Sequence, residues 1–108
     1  MKYIRIFVVL IFGMAVFSSS LHADTKKGQR LYLKNCKKCH GNGAEGAVLH
    51  TQAEWKKLFA NDAQGMIDAH KGTTGEKKIT PKFLKKRGKH LFDFLHEYAS
   101  DSGNVPSC

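Results

Sequence analysis

The chain has 108 residues, three cysteines and a formal net charge of +9. That length excludes more than one ordinary domain, and three cysteines cannot make two disulfides. The basic balance points to acidic protein surfaces or an anionic membrane surface, while lysines scattered without interleaved aromatics argue against nucleic acid.

Lys2 and Arg5 open the chain, and Ile6 to Phe17 then runs for twelve residues without a charge. Small and mildly polar residues follow, Ser18-Ser19-Ser20-Leu21-His22-Ala23. Basic, apolar and small-residue regions in that order read as a secretory signal peptide over residues 1–23, cut after Ala23. The competing reading is an uncleaved anchor, but the apolar run falls short of the roughly twenty residues a membrane-crossing helix needs. The expected mature chain starts at Asp24, and taking Lys2 and Arg5 from the total of +9 leaves +7. A domain of this size has a thin core and usually needs a staple, such as disulfides, a metal or a cofactor.

Asp24 to Cys39 is predicted as a first helix. Leu31, Tyr32 and Leu33 give it an apolar side, with Gly28 on the face of Tyr32. Gly41-Asn42-Gly43-Ala44-Glu45-Gly46 is predicted as a loop, since its residues tolerate positive φ. Thr51 and Glu54 have capping-box spacing, so a helix should start near Gln52 and turn Trp55, Leu58 and Phe59 inward. Asn61 or Asp62 can cap a further short helix through Met66, Ile67 and His70, with Gly72 ending it. Thr73 to Lys78 reads as a loop. Thr80 then stands before Pro81, a cap followed by proline at the first helical position. The last helical segment should run from there to about Ser100. Phe83, Leu84, Leu91, Phe92, Leu95 and Tyr98 form its apolar face, and Gly88 is a place where it could kink. Residues 101–108 read as an irregular tail. No segment alternates as a strand does, so the fold class is all-α.

Cys36-Lys37-Lys38-Cys39-His40 has the Cys-x-x-Cys-His spacing of c-type haem attachment. Two cysteines three apart near a helix end can reach the two vinyl groups on one porphyrin edge and form thioethers. His40 then falls under the ring as proximal ligand to the iron, and its other nitrogen would donate to a backbone carbonyl. Three rival readings use the same residues. A thioredoxin-like pair needs a βαβ context, which the sequence lacks. A zinc site would draw on Cys36, Cys39 and two of His40, His50 and His70, without a second tight pair. A Cys36–Cys39 disulfide would close a very small loop.

Gly28-Gln29-Arg30-Leu31-Tyr32 and Cys36-Lys37-Lys38-Cys39-His40-Gly41 together resemble the start of small bacterial class I cytochromes c. The resemblance extends over most of residues 25–99, through Ala53-Glu54-Trp55 and Asp68-Ala69-His70-Lys71-Gly72. It implies a bundle of about four helices around one covalent haem c. In that arrangement the glycine of the N-terminal helix crosses closely against an aromatic of the C-terminal helix. Gly28 and Tyr32 fit the first helix, and Leu91, Phe92, Leu95 and Tyr98 the second. The expected organisation is a signal peptide at 1–23, a cytochrome c domain at 24–100 and a tail at 101–108.

The sequence departs from that family on the far side of the iron. Most members place a methionine in the loop before the C-terminal helix, where this chain has Ile79 or Thr80. Met66 is the one methionine the mature chain keeps. It is a candidate sixth ligand, but its place in a predicted helix also suits the core. His50, His70, His90, His96, Lys77 and Lys78 are other donors with ordinary surface or capping readings. A vacant sixth position is a further option. Trp55 has two readings, a propionate donor or a core side chain with its N–H exposed. Cys108, the odd cysteine, could pair between chains, react, or stay a free thiol. Lys82, Lys85, Lys86, Arg87 and Lys89 form either a solvated helix face or a docking surface for an acidic redox partner.

These residues lead to an expected function as a periplasmic monohaem cytochrome that passes single electrons between redox partners. The alternatives are a haem protein whose open or labile sixth site binds or senses a small gas, and a subunit working beside an enzyme. No acid–base set suggests catalysis by the chain itself.

Overall fold

The computed structural model describes residues 21–106, with side chains from residue 25 onward. Most of the expected signal peptide, and Cys108, lie outside the described residues. Five helices account for the regular structure there: α1 (Leu21–Asn35), α2 (Lys37–His40), α3 (Gly43–Ala47), α4 (Gln52–His70) and α5 (Pro81–Glu97). The described residues contain no strand. The all-α expectation holds, with one more helix than the four anticipated. No described helix is long and apolar enough to cross a membrane.

α1 packs on α5. Gly28 sits at the crossing, because a Cβ there would be 2.6 Å from Phe94 Cβ and would collide with the His90 carbonyl oxygen. The aromatic facing Gly28 is therefore Phe94, not Phe92. Phe94 and Leu91 are the largest fully buried side chains, and such burial contributes about 1.5–3 kcal/mol each. Phe94 also meets the rings of Tyr32 at 5.7 Å and Tyr98 at 5.4 Å. Phe92 faces the other way and packs on Phe59 at 5.5 Å. Helical periodicity locates this face, but one turn holds Leu91, Phe92, Phe94 and Leu95, and only the crossing decides which aromatic goes under.

The expected first helix to Cys39 is broken at Cys36. Asn35 Nδ2 donates back to the Leu31 carbonyl at 2.8 Å, and Cys36, drawn out to φ −119° within the right-handed region, is the N-cap of α2. α2 then makes a single turn, which Gly41 ends at φ +82°.

The expected loop at Gly41–Gly46 contains a helix instead. Asn42 and Glu45 form a reciprocal capping box around α3, which satisfies its first donors. Gly43 and Gly46 are present because of packing rather than turn geometry. A Cβ at Gly43 would lie 2.9 Å from Phe94 Cζ, and one at Gly46 would strike the Tyr32 ring.

α4 and α5 start where the capping signals put them. Thr51 and Glu54 form the expected box. The Thr80 hydroxyl accepts from the Phe83 amide at 3.1 Å, with Pro81 opening α5. Gly88 neither kinks nor splits α5, which continues to Glu97. α4 is interrupted where a second cap was expected: Ala60 is extended, at φ −66° and ψ 158°, and a left-handed stretch follows it. Asn61, Asp62 and Ala63 all have φ between 52° and 59°. The chain reverses there, and the second arm returns against the first: a Cβ at Gly65 would lie 3.0 Å from Leu58 Cα. Asn and Asp tolerate this backbone region, and Ala63 bears a cost of about 1–2 kcal/mol for it. After α4, Gly72 at φ +75° turns the chain out of the helix as expected.

Candidate functional site

Cys36, Cys39 and His40 are brought together by one helical turn. The Cys36 carbonyl accepts from the amides of Cys39 at 3.2 Å and His40 at 2.9 Å. The Tyr32 hydroxyl donates to the Gly41 carbonyl at 2.9 Å, which ties the residue after His40 to α1. Burial pushes the Tyr32 phenol up to about 12. Cys36 is half-buried, and burial pushes its thiol up to about 11 against the pull of the Lys78 ammonium. Cys39 and His40 are exposed. Cys36 and Cys39 are not bonded to each other.

All three residues line one cavity of about 410 Å³, a size usual for a small-molecule or cofactor site. Its other walls are mostly apolar and come from distant parts of the chain: Leu49, Trp55, Leu58, Met66, Ile79 and Leu95. Two more imidazoles, His50 and His70, complete it, with Thr73, Thr74 and Gly75 along the connection to α5. Both arms of α4 contribute, Trp55 and Leu58 before the break at Asn61–Ala63 and Met66, Ala69 and His70 after it.

The sequence candidates are distributed unequally. Met66 is 7% exposed and lines the cavity. Ile79 stands in the wall where the resemblance anticipates a methionine, and Thr80 is occupied as the α5 cap. His90, His96, Lys77 and Lys78 are not part of the lining. His50 meets Trp55 edge-on at 4.7 Å and lies 3.6 Å from Glu54 Oε2. The ring of His70 lies 6.1 Å from that of His40, nearly perpendicular at 82°. Neither reading of Trp55 holds in full. Its side chain is buried, but its N–H is not exposed and donates to the Ala47 carbonyl at 2.9 Å. Sequence reasoning turned Leu58 inward but did not single out Leu49 or Gly75, which reach the cavity from connections between helices.

The donor set separates the rival chemistries. No three His, Cys, Asp or Glu side chains gather as metal ligands among the described residues, so a protein-built zinc site is not formed. The described residues contain no strand, so they offer no βαβ context for a thioredoxin-like pair. A haem needs much less from the protein, since it brings four nitrogens of its own. It requires thiols at the vinyl edge, an axial imidazole and apolar walls. Cys36, Cys39, His40 and the apolar lining fit those needs.

A family model described as Cytochrome C oxidase, cbb3-type, subunit III matches residues 23–91. No curated protein and no solved structure was found to match the chain.

Proposed function

The chain belongs to this family of c-type cytochrome domains, which implies covalently bound haem c, and from that premise we propose that it is a periplasmic monohaem carrier of single electrons. Cys36 and Cys39 would hold the porphyrin through thioethers, and His40 would supply an imidazole to the iron. The observation that carries this reading is the lining of one apolar cavity by all three residues of the attachment motif. The bound haem supplies one-electron cycling between ferrous and ferric iron.

The chain's own residues bind, orient and shield. α2 presents both thiols and the imidazole from a single turn, and the Tyr32–Gly41 hydrogen bond fixes the end of that turn. Trp55, Leu58, Ile79 and Leu95 exclude water from the interior of the site. Cys39 and His40 lie at its exposed side, with the exposed Lys37 and Lys38 between Cys36 and Cys39. Lys82, Lys85, Lys86, Arg87 and Lys89 are also exposed, and they suit docking to an acidic redox partner, whose encounter they would steer. The carrier performs no reaction of its own beyond electron transfer. Export after cleavage at Ala23 places it in the periplasm.

Expression together with a haem-attachment system tests the reading. The wild type should carry one haem per chain that survives denaturation, measured by mass and by haem absorbance. Cys36→Ala with Cys39→Ala should abolish it. Wild-type protein without covalent haem would overturn the assignment.

A further inference from the structure

We propose that His70 binds the haem iron opposite His40, giving a six-coordinate, bis-imidazole site rather than a methionine-ligated or open one. The inference rests on the haem reading above and names the ligand that reading leaves unassigned.

Three observations carry it. The first is spacing. Metal–imidazole nitrogen bonds are about 2.0 Å, so two in line span about 4 Å, and with roughly 1 Å from each nitrogen to its ring centre the centroids stand about 6 Å apart. The His40 and His70 centroids are 6.1 Å apart. The second is orientation. His70 Nδ1 is 2.6 Å from the Met66 carbonyl oxygen, which can only accept, so Nδ1 donates there and Nε2 is the nitrogen left to bind a metal. A backbone carbonyl on the far nitrogen is the usual partner of a metal-binding imidazole. The third is location, since His40 and His70 line the same cavity.

Support around His70 is local and rigid. It ends α4, and the Thr73 hydroxyl donates to its carbonyl at 2.7 Å. Gly75 backs the ring, because a Cβ there would touch His70 Cδ2 at 3.4 Å. The other donors are less well placed. Met66 sits one turn earlier, buried in the core cluster, and its carbonyl positions His70. His50 is engaged with Trp55 and Glu54. Ile79 has no donor atom. An edge-to-face contact between two rings can also have this spacing. It does not require the Nδ1 bond or an apolar cavity shared by both rings.

A second imidazole lowers the potential relative to a thioether and closes the iron to small ligands. The test is spectroscopic, on the full-length chain matured with haem. Wild-type ferric protein should be low-spin without a sulfur-to-iron charge-transfer band. Its low-spin electron paramagnetic resonance signal should be the large-g type given by strongly rotated imidazole planes. Ferrous protein should resist carbon monoxide. His70→Ala should keep covalent haem, turn high-spin, bind carbon monoxide at once, and recover the low-spin spectrum on adding imidazole. Met66→Leu should stay low-spin. A high-spin wild type, a charge-transfer band lost in Met66→Leu, or an unchanged His70→Ala spectrum would overturn the His70 assignment while leaving the haem reading intact. Wild type lacking covalent haem would overturn both.

Discussion

Gly28 lies directly against Phe94, so closely that a single methyl group on residue 28 would be 2.6 Å from the Phe94 Cβ. The obstacle on the other side is the α5 backbone at His90, which cannot rotate away as a side chain could. Gly28→Ala should therefore destabilise the protein by about 1–3 kcal/mol, the usual cost of overpacking, despite alanine's better helix propensity. Thermal unfolding of the matured protein would show a Tm lower by roughly 4–8 °C per kcal/mol.

Gly88 provides the opposite case on the partner helix. It is buried in the interior of α5, but the nearest atom to an added Cβ is Leu84 Cβ at 3.8 Å, an ordinary contact. Gly88→Ala should raise stability by about 0.5–1 kcal/mol through lower unfolded-state entropy and better propensity. The same denaturation experiment checks it, and a loss instead of a gain would show that the adjoining groove, lined by Phe59, Leu84 and Phe92, closes on this position.

The Trp55 indole donates to the carbonyl of fully buried Ala47. Trp55→Phe keeps an aromatic ring but leaves that carbonyl without its donor. The expected loss is about 1–3 kcal/mol, the cost of an unsatisfied buried acceptor. Chemical denaturation would give it as a lower midpoint with little change in slope.

Acid sensitivity should centre on Glu54. Its carboxylate is held below the usual range first by the Thr51 amide, then by the Thr51 hydroxyl, with His50 adding less. A depressed folded pKa means stability that is present above the unfolded value, about 4.3, and lost as pH falls through the folded value. Glu54→Gln can still accept in the capping box but does not titrate, so its stability should fall less steeply on acidification. Asp68, held down by Gln64 and then Lys71, should keep part of the slope. Denaturant midpoints taken across the acid range in both proteins measure the difference.

The sequence reveals what depends on neighbouring residues. The Thr51–Glu54 box and the Thr80–Pro81 start follow from spacing within a few residues, and each appears where expected. What depends on distant partners was not legible. Gly43 and Gly46 resemble turn glycines until Phe94 and Tyr32 are seen pressing on them. Phe92 and Phe94 are equally good aromatics for the crossing on periodicity alone. His70 is an unremarkable helix-end histidine until the chain reversal brings it level with His40, and nothing local in the sequence distinguishes it from His50.

That reversal also has a consequence for the engineering of the chain. In an unbroken helix, Trp55 and His70 would be about 22 Å apart along the axis at 1.5 Å per residue, yet both line the same cavity. The three left-handed residues at 61–63 fold one stretch of chain into two facing jaws, and the packing of the arms has to offset their backbone strain. Replacing Asn61 and Asp62 with strong helix formers would improve every local preference in α4. It would also straighten the helix and draw one jaw off the other, so a gain in helicity would come with loss of the enclosure that the two arms form.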